Sequence, residues 1–287
     1  MSVVILRGWT SLSLPKPSAL PGFGITFGFA VTYLSLIVLI PLAVLVARAG
    51  ELGFDGIWRV ATAPRVLAAL EVSFLVSGAA AAVNAVFGVI VAWVLVRYGF
   101  PGRRLLDAAV DLPFALPTAV AGIALAALYA TNGWIGSLFA PWGVKIAFTP
   151  WGILVALIFI GMPFVVRTVQ PVLQDLDREV EEASATLGAT RSQTIFRVVL
   201  PVLVPAILTG VALAFARAVG EYGSVIFIAG NMPFVSEIAP LLIVTKLEEF
   251  DYAGAAAIAT VMLAISFVSL LAINAVQAYS QRRFSRG

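Results

Sequence analysis

Six apolar stretches, each long enough to cross a bilayer, occupy most of this chain, at roughly 23–47, 67–96, 112–130, 150–168, 198–219 and 254–278. A hydrocarbon core about 30 Å thick takes about 17–25 apolar residues per helix. Inside it every backbone N–H and C=O needs a partner within the protein, which leaves only α-helices and closed barrels. The runs are far longer than barrel strands, and alanine and leucine dominate them. The pattern predicts an all-α fold, a polytopic membrane protein with six transmembrane helices. Composition agrees. The chain is 61% hydrophobic and only 11% charged, with a mean hydropathy of +1.03, where a soluble domain carries about 25% charged residues.

The sequence has no cysteine and no histidine. Thiolate and imidazole metal sites, disulfides, and Cys or His catalysis are therefore excluded. No catalytic, cofactor-binding or metal-binding residue is assigned. The net charge of +3 is small and carries no nucleic-acid signal. The first apolar stretch exceeds the ~7–15 residues of a signal-peptide core and is a retained span. Orientation follows from Lys and Arg. With the N-terminus in the cytoplasm, the inside segments hold Arg7, Lys16, Arg97, Arg103, Arg104, Arg167, Arg178, Arg191, Arg197, Arg282, Arg283 and Arg286. The outside segments hold only Arg48, Arg59, Arg65, Lys145 and Lys246. The positive-inside rule then places both termini in the cytoplasm, although the first outside loop carries three arginines.

Three segments follow: 1–66 (tail, first span and outer loop), 67–278 (core transmembrane domain, with a cytoplasmic loop at 179–201) and 279–287 (cytoplasmic tail). The apolar run at 224–245 is interrupted by Gly230-Asn231-Met232-Pro233 and Glu237. It reads as a loop plus a short helix, partly re-entrant, because a seventh span would put the C-terminal arginines outside. Pro113 and Pro117 near the start of the third span, and Pro201 and Pro205 near the start of the fifth, each remove a backbone donor and bend a helix.

The longest polar segment on the cytoplasmic side is 169–197. Asp175, Asp177, Glu179, Glu181 and Glu182 cluster where the positive end of a helix dipole favours acids. Val180, Ala183 and Leu187 fall at helical spacing and give one apolar face. Gly188 is placed to end that helix in a left-handed turn. Thr190-Arg191-Ser192-Gln193 fits a capping box that starts a second helix. The physics predicts helix, glycine turn, helix. Taken alone, it is either an ordinary surface loop or a docking element for a cytoplasmic partner.

The pattern Glu182-Ala183-Ser184, then Gly188, Val198 and Leu200-Pro201, resembles the EAA loop of permease subunits of binding-protein-dependent ABC importers. Ser184 stands for the second alanine and Val198 for an isoleucine. The resemblance spans about residues 67–278. It implies the type I importer permease fold, with Glu182, Ala183, Ser184, Gly188, Leu200 and Pro201 in the loop that couples to the ATPase. Asn84 with Phe87-Gly88, Phe100-Pro101-Gly102-Arg103-Arg104, Asp111-Leu112-Pro113-Phe114-Ala115-Leu116-Pro117-Thr118 and Arg217-Ala218-Val219-Gly220-Glu221-Tyr222-Gly223 look like the T-type permeases of sulfate/thiosulfate importers. Molybdate permeases share part of this pattern. The partners implied are ABC ATPase subunits, a paralogous permease subunit, a periplasmic or lipid-anchored sulfate-binding protein, and membrane lipid.

A P-loop needs Gly-x-x-x-x-Gly-Lys-Ser/Thr. The three lysines here are followed by Pro17, Ile146 and Leu247. ATP is therefore expected on a partner ATPase, with no cofactor in this chain. For a translocation pathway or gate the candidates are Arg217, Glu221, Asn84, Ser77 and Thr118. Arg217 and Glu221, four apart, share a helix face. They form either a structural pair locking the helix end or a pathway pair in which the guanidinium attracts a tetrahedral oxyanion. Asn84 is an interhelical contact or a substrate ligand. The acids Glu248, Glu249 and Asp251 form a solvated cluster or part of a binding-protein surface. The rival functions are a molybdate or tungstate permease and, from another class, an ATP-independent anion carrier. The carrier needs ionisable residues buried mid-span, which are few here.

Overall fold

The computed structural model describes residues 22–284. The tail with Arg7 and Lys16, and the last arginine Arg286, lie outside them. Two units divide at residues 47 and 48. The first is a uniformly apolar helix, part of α1 (Phe23–Gly50). The second contains the remaining helices of eight residues or more, α2 (Gly53–Ala61), α3 (Pro64–Arg97), α4 (Arg103–Val110), α5 (Thr118–Tyr129), α6 (Pro150–Asp175), α7 (Arg178–Thr186), α8 (Arg191–Val219), α9 (Ala239–Glu248) and α10 (Tyr252–Phe284), together with single helical turns between them. The described residues contain no strand.

Prolines set where these helices bend. Ser35–Leu39 in α1 and Ile195–Val199 in α8 are π-turns, and each ends two residues before a proline, Pro41 and Pro201. A proline cannot donate to the carbonyl four residues back, and its ring crowds that carbonyl, so widening the preceding turn relieves both problems. The third expected span breaks for a related reason. Leu116 precedes Pro117 and is extended, with φ −83° and ψ 135°, as the pre-proline clash demands. The stretch 112–130 is thus a single turn at Leu112–Ala115 followed by the 12-residue α5. At 1.5 Å per residue α5 is about 18 Å long, short of the hydrocarbon thickness. Among the described residues five helices have the length and apolarity to cross a membrane (α1, α3, α6, α8 and α10), and α5 is a shorter apolar helix. The C-terminal helix also continues into the expected tail, as far as Phe284.

In the second unit α3, α6 and α8 pack most extensively on one another. Glycines allow it. A Cβ on Gly88 of α3 would fall 2.7 Å from Val165 Cγ1 of α6, and one on Gly210 of α8 would fall 2.8 Å from Val165 Cα. Val165, Val166, Val169 and Leu173 are fully buried in the resulting core with Leu95 and Leu203. A second core joins Ile153, Ala156 and Leu157 of α6 to Val225 and Ile228, and a third joins α3 to α9 and α10 through Leu70, Leu242 and Ile258. Helix α10 also packs on α8 and α2. Segment 224–245 forms a turn at Val225–Ile228, a loop, and then α9, with Ile238 and Ala239 buried. Arg65 locks this segment to α3. Its Nε and Nη2 donate to the two oxygens of the buried Glu237 at 2.8 and 2.7 Å, the forked geometry that makes such pairs strong.

Helix α5 is held by close backbone approach. A Cβ on Gly122 would lie 2.3 Å from the carbonyl oxygen of Ser224, whereas Gly78 has nothing within 4 Å. Gly122→Ala is expected to destabilise the protein by about 1–3 kcal/mol, the usual cost of overpacking, and Gly78→Ala to leave it unchanged. Thermal unfolding of the purified protein in detergent checks both.

Candidate functional site

The loop between α6 and α8 is built by three local devices. Asp177 precedes α7, and its Oδ1 accepts from Glu179 N at 3.1 Å, which satisfies a free N-terminal donor. At the other end Gly188 has φ +83°. Gly188 N donates to Ala185 O at 3.0 Å and Ala189 N donates to Ser184 O at 3.1 Å. These are the paired bonds of a Schellman turn. Thr190 then caps α8. Its Oγ1 accepts from Gln193 N, and Gln193 Oε1 accepts from Thr190 N. The chain reverses in four residues with its backbone groups satisfied.

Side chains tie the two arms together. Ser184 and Thr194 share a hydroxyl hydrogen bond of 2.8 Å across the turn, and Ser184 Oγ also donates to Glu181 O. An alanine at 184 could make neither bond, so the motif's departure has a structural use. The outward face of α7 is apolar and bare. Leu187 is 89% exposed, Ala183 is exposed and Val180 is 43% exposed. Glu182 is exposed on another face, Leu200 and Pro201 are half-buried in the first turn beyond the π-turn, and Phe196 is also exposed.

Ion pairs anchor the same end of the bundle. Arg97, the last residue of α3, meets Glu181 at 2.6 Å, donates to Leu176 O at 3.1 Å and sits 5.8 Å over the Trp93 ring. Arg167 of α6 donates through Nε and Nη2 to both oxygens of Asp111 at 2.8 and 2.6 Å, and through Nη1 to Asp107 and Gln170 at 2.7 and 2.6 Å. The Arg167 hydrogen bond holds the Asp107 carboxyl below its ordinary pKa, with Gln170 helping and partial desolvation opposing. Sequence reasoning missed both arginine hubs. The available signal was an arginine at the end of each span with an unclaimed acid in the neighbouring loop.

Of the pathway candidates, four meet at the turn 220–225. Glu221 is buried. One of its oxygens accepts from Ser224 N and Oγ at 2.9 and 3.0 Å, and the other pairs with Arg217 at 2.5 Å. Thr118 Oγ1 lies against Gly223, where a Cβ would be 2.2 Å away. Ser77 and Glu221 line one small void with Ser73, and Ser73 accepts from Ala239 N at 2.8 Å. Ser77 Oγ has no partner among the described residues. Asn84 stands apart. It is fully buried at the α3–α6–α8 seam, its amide fills the space where a Gly161 side chain would be, and neither amide atom has a partner among the described residues. The acids after α9 are paired locally. Lys246 lies 2.8 Å from Glu249 and 3.4 Å from Asp251, and the Glu249 hydrogen bond raises the lysine's pKa. Glu248 is in neither contact.

Residues 84–286 match the family described as "Binding-protein-dependent transport system inner membrane component", and the chain belongs to that family. It is a multi-pass inner-membrane protein. Among curated relatives it is 54% identical over 274 residues to the "Sulfate transport system permease protein CysT" of Synechococcus elongatus, covering 95% of this chain and 99% of that one. It is 50% identical over 264 residues to the protein of the same name from Escherichia coli, covering 92% and 95%. Its fold is similar to a chain of a bacterial ABC transporter involved in the import of the acidic polysaccharide alginate, with a TM-score of 0.74 at 15% identity over 90% of this chain and 96% of that one.

Adding a Cβ at Gly188 strains its left-handed backbone by roughly 1–2 kcal/mol, and removing the Ser184 hydroxyl costs about 1 kcal/mol. Gly188→Ala and, more weakly, Ser184→Ala are expected to speed tryptic cleavage at Arg191 in solubilised protein.

Proposed function

We propose that this chain is one of two permease subunits of an ATP-driven ABC importer that carries sulfate or thiosulfate across the inner membrane. It is a transport subunit, not an enzyme. The observation that carries the reading is the bare apolar face of α7, held between the Asp177 cap at its start and the Gly188 Schellman turn at its end, in a chain of this family. A helix surface of Val180, Ala183 and Leu187 has no reason to stay in water unless a partner covers it. The partner is the ATPase subunit, because this sequence carries no P-loop of its own.

The cycle follows from that contact. ATP binding draws two ATPase subunits together and α7 moves with them. The spans then rock to open toward a loaded binding protein, and hydrolysis resets them. Arg97 at the end of α3 bonds Leu176 O just after α6, so both helices end on one face and the broken segment between them completes a sixth crossing; with both termini in the cytoplasm, α7 then faces the ATPase side. The second permease is a related, distinct subunit. Tight oxyanion binding inside the permease would slow release, so the route needs only transient contacts. Arg217, with a third of its side chain exposed beside Thr118, can supply one by donating parallel bonds to the anion. Glu221 and Asn84 hold structure around it.

Uptake of labelled sulfate and molybdate in cells lacking this chain tests the reading. Sulfate uptake is expected to vanish, to return with the wild-type chain, and to stay absent with Gly188→Asp although that variant inserts normally. Molybdate uptake is expected to be unaffected. Loss of molybdate uptake alone would establish the molybdate alternative. Sulfate uptake that persists without this chain would sink the proposal.

A further inference from the structure

The ion pair between Arg97 and Glu181 crosses open space. Helix α7 packs on the first turns of α8, but it is separated from the end of α3 by a cavity of about 390 Å³, lined among others by Trp93, Arg97, Tyr98, Ala185 and Ile195. No close packing fills that gap. A helix held on one side only can tilt into a void of this size without losing contacts. What bridges the gap is one side chain. Arg97 makes the 2.6 Å contact with Glu181, bonds the Leu176 carbonyl just ahead of α7, and rests on Trp93 one turn back in its own helix. Its side chain is only 9% exposed. A planar guanidinium hydrogen-bonded to Leu176 O, ion-paired with Glu181 and set over Trp93 spans the gap as a strut, which an ammonium on a flexible stem does not.

The two faces of α7 divide the work. Val180, Ala183 and Leu187 point outward, while Glu181, Glu182 and Ala185 line the cavity. At 100° per residue these sets lie on opposite sides of the helix. A partner seated on the outer face leaves the Arg97 strut in place behind it. Covalent connection already joins α7 to α6 and α8. Among the described residues Arg97–Glu181 is the only ion pair between α7 and α3.

We infer that Arg97 is a positioning residue for transport: it makes α7 and the end of α3 move as one body, so that force applied to α7 reaches α3 as well as α6 and α8. This rests on the ATPase-docking reading of α7. Without the strut, α7 follows the ATPase by tilting into the cavity and α3 lags. Hydrolysis then continues with little transport.

The complete transporter in proteoliposomes tests this. In Arg97→Gln the ATPase is expected to remain bound at wild-type stoichiometry and hydrolysis to persist. Sulfate moved per ATP is expected to fall about tenfold, and Arg97→Lys to fall between. The chain has no cysteine, so spin labels at Gly99→Cys, where nothing lies within 4 Å, and Thr186→Cys report the α3–α7 distance alone. That distance is expected to stay constant between nucleotide-free and ATP-bound states when Arg97 is present, and to change when it is Gln. A wild-type transport ratio in Arg97→Gln, or a distance that changes equally with and without Arg97, would overturn the inference, as would loss of the ATPase from Arg97→Gln. Leu187→Asp separates the underlying reading: it is expected to release the ATPase, and full retention there would defeat docking whatever Arg97 does.

Discussion

Everything in the second unit is arranged around the place where three helix backbones converge on Val165. Lipid tails are as apolar as leucine, so no hydrophobic force drives helices together within a bilayer. Association comes from close van der Waals contact. Contact energies are small per atom pair, and a gap of about 0.5–1 Å already forfeits a quarter to a half of each, so backbones must approach closely to gain many of them. Gly88 and Gly210 permit that approach from both sides of α6. The same tightness leaves Asn84 sealed beside Gly161 with no hydrogen-bonding neighbour among the described residues. An orphaned amide costs about 1–3 kcal/mol, which the surrounding packing must offset.

That seam fixes the functional loop indirectly. Helix α7 hangs between the ends of α6 and α8, so its position is set by how those two helices pack. Its internal shape is set independently, by bonds between residues no more than ten apart along the chain. Separation of the two has a physical advantage. The loop keeps its form while the helices beneath it shift, and a rigid element transmits displacement where a soft one absorbs it.

The same distinction explains how much could be read from the sequence. The helix, the glycine turn and the second helix at 177–194 were legible because Asp177, Gly188, Thr190 and Gln193 each act on near neighbours, and their chemistry admits few alternatives. The family resemblance lay in the same stretch, since the motif is largely the capping geometry written in residue types. The break in the third span was carried by Pro117, but apolar composition outweighed it in a reading built on run length. Arg65–Glu237 and Arg167–Asp111 were not legible. Their partners lie 172 and 56 residues apart, and any arginine in one loop could have paired with any acid in another. The meeting of Thr118, Arg217 and Glu221 at one turn needed the fold as well, because Gly122 and Gly223 bring α5 there by backbone contact that leaves no trace in hydropathy.

Helix α3 shows what those distant pairs accomplish together. It runs 34 residues, about 50 Å at the standard rise, and its two arginines lie at its ends, where charge is least costly to a membrane helix. Arg65 grips the segment before α9 through a buried carboxylate, and Arg97 grips the loop between α6 and α8. Between them the helix is apolar except for Glu71, two serines and Asn84. A helix pinned by an ion pair at each end and packed along its length resists sliding along its own axis. It tilts as a rod instead, with the glycine seam at Val165 as the point of closest contact. On the proposed cycle, a tilt imposed at the α7 end would move the Glu237 segment at the other end in the opposite direction, the kind of motion that closes one face of a membrane protein while opening the other.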